Sequence, residues 1–120
     1  MINISVEEVL YIHKLQIETF GGLSGVKNIS LLESAIFSPL QGYYEDDIEI
    51  IGAIIYGICQ NHPFNDGNKR TSIVVGEFLI NKLNKKLKMD NDEYEQLVWD
   101  IADGKITKEQ LIEIIKNNVE

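Results

Sequence analysis

Between residues 62 and 70 the chain carries His62, Asp66, Asn68, Lys69 and Arg70 around Gly67, inside the string NHPFNDGNKRTS at 61–72. These are residue types suited to holding phosphate. If a helix begins at Gly67, the amides of Gly67, Asn68 and Lys69 have no intrahelical acceptor, and the positive end of the helix dipole lies among them. Gly67 allows a positive φ and close approach of a ligand, while Lys69 adds a mobile point charge and Arg70 a planar fork. Asp66 is open to two readings. It is either a helix cap, through its acceptor oxygens, or a carboxylate sharing a Mg²⁺ with bound phosphates. His62 is equally open. It either answers the last carbonyls of the preceding helix, or stands beside a phosphate and takes a proton from an incoming hydroxyl. Phe64 is expected to point inward and anchor the loop. The residues alone predict a phosphate or nucleotide site with a base and leave the reaction open.

Helices must position this loop. Apolar residues recur at three- and four-residue spacing from Ser5 to Phe20, and Gly21-Gly22 end that run. The string SLLE at Ser30 to Glu33 has the capping-box pattern and predicts a second, short helix to about Phe37. Pro39, Gly42 and the acidic Glu45 to Asp47 mark a loop, a candidate lid that carries Tyr43 and Tyr44. A third helix is predicted over Asp47 to Asn61, with Ile48, Ile51, Ile55 and Ile58 on one face, and Pro63 turns the chain at His62. The fourth runs from about Gly67 to Lys82 and offers Ile73, Val74, Phe78, Ile80 and Leu83 to the core. Leu87 to Met89 reads as a short extended piece. Two further helices follow, from Asp92 to Asp103 before Gly104, and from Lys108 to about Asn118 behind a Thr107/Gln110 capping box. Tyr94, Trp99 and Cys59 read as core, and His13 as a packed imidazole with a hydrogen-bond partner. Glu77, two helical turns beyond Arg70, is open to two readings: it either orients the guanidinium or is a solvated carboxylate. The expected fold is all-α: one domain over residues 1–120, a compact bundle of about six helices with the loop between two central ones.

Composition narrows the function. With 120 residues, 44% of them hydrophobic and 25% charged, the chain is globular in composition. Folding at this length buries roughly 65% of the unfolded surface. A formal net charge of −8 opposes DNA or RNA as a partner. The longest apolar run, Ile50 to Cys59, is too short to cross a bilayer of about 30 Å, and the N-terminal stretch lacks a secretory pattern, so no membrane association and a cytoplasmic location are expected. A single cysteine permits neither an internal disulfide nor a cysteine-based zinc site.

The string from His62 to Thr71, HPFNDGNKRT, resembles the signature of the Fic/Doc superfamily in its Doc ("death on curing") form, and the likeness extends over roughly Val6 to Leu83, including the Gly-Gly turn and the Leu-Leu-Glu-Ser-Ala segment. The resemblance implies a toxin that transfers the γ-phosphate of ATP to a hydroxyl of a target protein, an elongation factor being the expected one. It implies His62 as general base, Asp66 as Mg²⁺ ligand, and Gly67, Asn68, Lys69 and Arg70 as the phosphate cradle. Members that transfer AMP instead carry glycine at the position of Lys69 and a second arginine at that of Ile73; both departures here match the Doc form. A self-inhibitory Ser/Thr-x-x-x-Glu-Gly/Asn string does not occur, so the implied restraint is a separate antitoxin protein. Asn28 stands where relatives have a carboxylate, and the expected docking surface for the target is the loop around Ser38 to Asp47. The alternatives are AMP transfer on the same residues and a binding module without turnover.

Overall fold

A computed structural model describes all residues, Met1 to Glu120. It contains six helices: α1 (Val6–Phe20), α2 (Ile29–Phe37), α3 (Asp47–Asn61), α4 (Asn68–Lys82), α5 (Asn91–Ala102) and α6 (Lys108–Asn117), with one 3₁₀ turn at Ser38–Leu40. The all-α expectation holds. Leu87 pairs antiparallel with Val119 in an isolated bridge, which is the short extended piece expected there. None of the helices is long and apolar enough to cross a membrane.

Helix starts are set by local chemistry. Ser5 with Glu8, Asp46 with Glu49, Asp90 with Glu93 and Thr107 with Gln110 each form a reciprocal capping box. Helix α2 departs from expectation. Its cap is Asn28, whose side chain accepts from the Leu31 amide at 3.1 Å, and Ser30 lies within the first turn. The reason is distant in sequence: the amides of Lys27 and Asn28 both donate to the Pro63 carbonyl, at 2.8 and 3.0 Å. That contact holds Asn28 extended at φ −152°, and the helix begins directly after it.

Helix α3 is the axis of the bundle, packed by α2, α4, α5 and α6. Ile51, Ile55 and Ile58 are fully buried as expected, but Ile50, Ala53, Ile54 and Cys59 are buried too, so α3 is enclosed on more than one face; Ile48 is only half-buried. Burial pushes the Cys59 thiol up to about 11, consistent with an inert core residue. The buried face of α4 is Thr71, Ser72, Val75, Gly76, Leu79 and Ile80, whereas the expected Ile73, Val74, Phe78 and Leu83 lie at its edges. Small residues bring α4 close to α3. A Cβ on Gly76 would stand 2.6 Å from Ile55 Cδ1 and would also strike the Tyr94 hydroxyl, which donates to the Ile73 carbonyl at 2.9 Å.

Two placements differ from the sequence reading, and one of the two readings of Glu77 is excluded. Trp99 is 44% exposed, because α5 turns Tyr94, Leu97, Val98 and Ile101 inward and leaves the indole on its flank. Glu77 makes no contact with Arg70; it lines a cleft beside Tyr94, and partial burial raises its carboxyl above the ordinary range. Seven residues of helix separate the two by about 10 Å, and the Arg70 guanidinium leans the other way, onto Phe20. The candidate lid turns away from the loop at 62–70. Tyr43 and Tyr44 line a separate groove between α2, α3 and α6, where Lys108 sits over the Tyr44 ring.

The approach of α4 to α3 has a measurable consequence. Gly76→Ala forces the Ile55 and Tyr94 side chains apart and is expected to destabilise the fold by about 1–3 kcal/mol in urea unfolding, as overpacking does. A change below about 0.5 kcal/mol would show that the interface yields more readily than its geometry indicates.

Candidate active site

The chain leaves α3 through His62, which adopts φ 49°, ψ 56°. A left-handed residue is a common helix stop, and Pro63 disfavours helical geometry at the residue before it. For a side chain other than glycine this conformation costs about 1–2 kcal/mol. Its effect is to reverse the chain so that Pro63 and Phe64 plunge into the core while the imidazole stays exposed.

Three sets of contacts hold the reversed loop. The Asn68 side chain grips Phe64 at both ends of its peptide geometry, accepting from the Phe64 amide and donating to the Phe64 carbonyl, each at 3.0 Å. His13, on α1, stacks flat on the Phe64 ring with centroids 3.7 Å apart and planes 5° from parallel. Its Nε2 lies 2.8 Å from the Asp66 carbonyl, so Nε2 carries the proton and donates. On the other side, residues 24–28 run beside the loop: Asn65 N–H donates to the Gly25 carbonyl at 3.2 Å, its side chain donates to the Ser24 carbonyl at 3.1 Å, and Val26 pairs with Phe64.

Asp66 ties these parts together. Its Oδ1 accepts from the Gly67 amide at 2.9 Å and its Oδ2 from the Leu23 amide at 3.1 Å. These two donors, first Leu23 and then Gly67, hold the carboxyl below the usual aspartate range, with Arg70 and His13 adding smaller contributions. Gly22 is needed here. A Cβ at its position would stand 2.7 Å from Asp66 Oδ2, and its φ of 118° disfavours any other residue. The N-cap of α4 is Gly67 itself, at φ 75°, with no side-chain cap. Of the two readings of Asp66, the capping one is therefore not realised.

A cavity of about 720 Å³ opens over this loop, within the usual range for small-ligand sites. His62, Asp66, Gly67, Asn68, Lys69 and Arg70 all line it, joined by Gln16 and Phe20 of α1, Ile73 and Val74 of α4, and Glu95 and Trp99 of α5. The expected site residues thus converge, and Phe64 lies beneath them, 1% exposed, as the anchor. Two details refine the cradle. The Gly67 amide is already taken by Asp66, leaving those of Asn68 and Lys69 in the open first turn, and the Asn68 side chain serves the loop. Lys69 Nζ rests 4.2 Å from the centroid of the Trp99 ring, and Arg70 Cζ 4.9 Å from that of Phe20.

The donors around Asp66 fit a Mg²⁺ that shares its coordination with phosphates. The carboxylate is solvent-exposed at the cavity wall, and each oxygen retains a lone pair beyond its amide bond. No group of three or more His, Cys, Asp or Glu is gathered in the fold as an all-protein metal cage would require. One exposed carboxylate beside the open first turn of a helix is a donor set that a Mg²⁺ shared with phosphates would use.

Sequence reasoning missed Phe20, Glu95 and Trp99 as cavity walls, and residues 22–28 as a brace. Gly21, Gly22 and Gly25 within five positions, all with positive φ in the fold, were the available signal for the brace. Nothing local marked Trp99.

Residues 3–80 match the Fic/DOC family, a span that takes in α1, the brace, the loop and nearly all of α4. Over 121 residues, covering 97% of this chain and 94% of the relative, the sequence is 29% identical to the protein kinase doc of Escherichia phage P1.

The Asp66 to Leu23 bond can be followed by its proton. Because the carboxyl is held below its ordinary value, the bond is complete above about pH 3.9 and is lost as pH falls through the lower value of the folded state. The Leu23 amide shift in an NMR titration is expected to change with a midpoint below 3.9, and Asp66→Asn to abolish that step. A midpoint at or above 3.9 would contradict the bond.

Proposed function

This chain belongs to the Fic/DOC family, and from that premise we propose that it is a Doc-like toxin that transfers the γ-phosphate of ATP to a hydroxyl of a target protein. The observation that carries this reading is the left-handed turn at His62, which leaves an exposed imidazole on the wall of the cavity whose floor is the open first turn of α4 with Lys69 and Arg70. That the phage relative is a protein kinase supports phosphate transfer over nucleotide transfer.

Each residue then has a task. The amides of Asn68 and Lys69, the Lys69 ammonium and the Arg70 guanidinium receive the triphosphate and offset its charge. Asp66 would hold Mg²⁺ together with the phosphates; when bound, the ion neutralises charge on the transferring group. His62 accepts the proton of the target hydroxyl, whose oxygen bonds to the γ-phosphorus as the bond to the β-γ bridging oxygen breaks and ADP departs. Pinning of the loop by Asn68 and His13 spares the site reorganisation during the reaction, which is where positioning lowers a barrier.

The target would lie along the exposed residues 23–27, which border the loop, and not against Tyr43 and Tyr44, whose groove shares no residue with the cavity. An elongation factor is the target that the resemblance favours, and a separate antitoxin protein the restraint. Ile73 on the cavity wall supports γ-phosphate over AMP transfer, because an apolar side chain replaces the arginine that the AMP-transferring pattern directs at the outer phosphates.

Labelling tests the reaction. In a bacterial lysate with Mg²⁺, ATP labelled at the γ-phosphate is expected to mark a protein band, ATP labelled at the α-phosphate to leave it unmarked, and His62→Ala to lower the rate by about 10²–10⁴-fold. Label from the α-phosphate would replace this reading with AMP transfer. Absence of any His62-dependent label across lysates of several hosts would favour a binding module.

A further inference from the structure

We infer that Trp99 is the stacking platform for the base of the bound nucleotide, and that Lys69 leaves the indole for the triphosphate as the base takes its place. This rests on the reading of the cavity as an ATP site.

The cavity is polarised. Arg70, over Phe20, and the tip of α4 make the α1 side cationic, whereas the α5 side presents the Glu95 carboxylate and the Trp99 indole, on which the Lys69 ammonium rests. A triphosphate is repelled from a carboxylate, but an uncharged, flat base is suited to that wall. With the reacting phosphate held near His62, the remainder of the nucleotide must extend away from it.

Two aromatic side chains flank the cavity, and their surroundings tell them apart. Phe20 precedes Gly21-Gly22 and so begins the brace that reaches Asp66 through Leu23, the side assigned above to the target. Trp99 stands on α5, outside that brace, and is 44% exposed although it is the largest side chain of its helix. Its ring is covered by the Lys69 ammonium, 4.2 Å from the centroid. An exposed pair of this kind is weak. A triphosphate, with several negative charges, is the stronger partner for an ammonium on a flexible stem, so its arrival uncovers the ring at the moment a base is delivered.

Trp99 is the sole tryptophan, so intrinsic fluorescence reports on this ring alone. With Mg²⁺ present, ATP is expected to quench it, whereas inorganic tripolyphosphate, which fills the cationic end without a base, is expected to bind and leave it unquenched. In calorimetry Trp99→Leu should weaken ATP by about fivefold to a hundredfold, the range of one base stacked on an aromatic ring. It should change tripolyphosphate affinity less than about twofold, and Trp99→Phe should restore most of the loss. The platform is overturned if wild-type protein binds ATP with no more quenching than tripolyphosphate causes, or if Phe20→Leu and not Trp99→Leu carries the loss of affinity. Because the quenching measurement uses the wild-type chain, it decides the matter even if Trp99→Leu folds poorly. Absence of heat with ATP and tripolyphosphate alike would remove the ATP site itself and this inference with it, an outcome distinct from ATP binding without stacking.

Discussion

A histidine held in the left-handed region, between a buried helix and a buried proline, is the constraint on which the site depends. The conformation is unfavourable by about 1–2 kcal/mol and persists only where its surroundings over-determine it. They do so here. Burial of Phe64 contributes roughly 1.5–3 kcal/mol, and the two Asn68 bonds to its backbone keep buried peptide groups paired that would otherwise be left without partners. Strain at one residue is thereby exchanged for a fixed direction of the imidazole.

The same clamp links the site to its neighbours. His13 bonds the Asp66 carbonyl while Leu23 and Gly67 bond the Asp66 carboxylate, so one residue joins α1, the brace and the start of α4. A change in how Asp66 is engaged is therefore felt at residues 22–28. Those residues return the favour by donating twice to Pro63, which fixes both the loop and the start of α2. The loop, the brace and the cap of α2 are in this sense one hydrogen-bonded unit, built on the rigid contact of α3 with α4.

What could be read from the sequence was what is local. Four capping boxes involve residues three apart, and of the boxes expected the Thr107/Gln110 pair forms as anticipated; the helix order, the turn at His62 and the extended piece near Leu87 also follow from short-range patterns. The cap of α2 was misread because its position is dictated by the Pro63 carbonyl, some 35 residues away in the chain. His13 was legible as a packed imidazole, but not that its partner is the carbonyl of a site residue. Trp99 was taken for core because helical periodicity tells which residues share a face, not which neighbour that face meets; at Trp99 it meets the cavity. Of the two readings of Glu77 the solvated one holds, since sharing a face with Arg70 does not direct the guanidinium, which Phe20 holds.

The central claim is that the clamped loop is already shaped for a terminal phosphate beside His62. A crystal structure with Mg²⁺ and a non-hydrolysable ATP analogue tests it most directly. The account predicts the γ-phosphate against the Asn68 and Lys69 amides, within reach of the His62 ring, with residues 63–67 unmoved. An α-phosphate in that place, or a loop that must rebuild itself to admit the analogue, would contradict it.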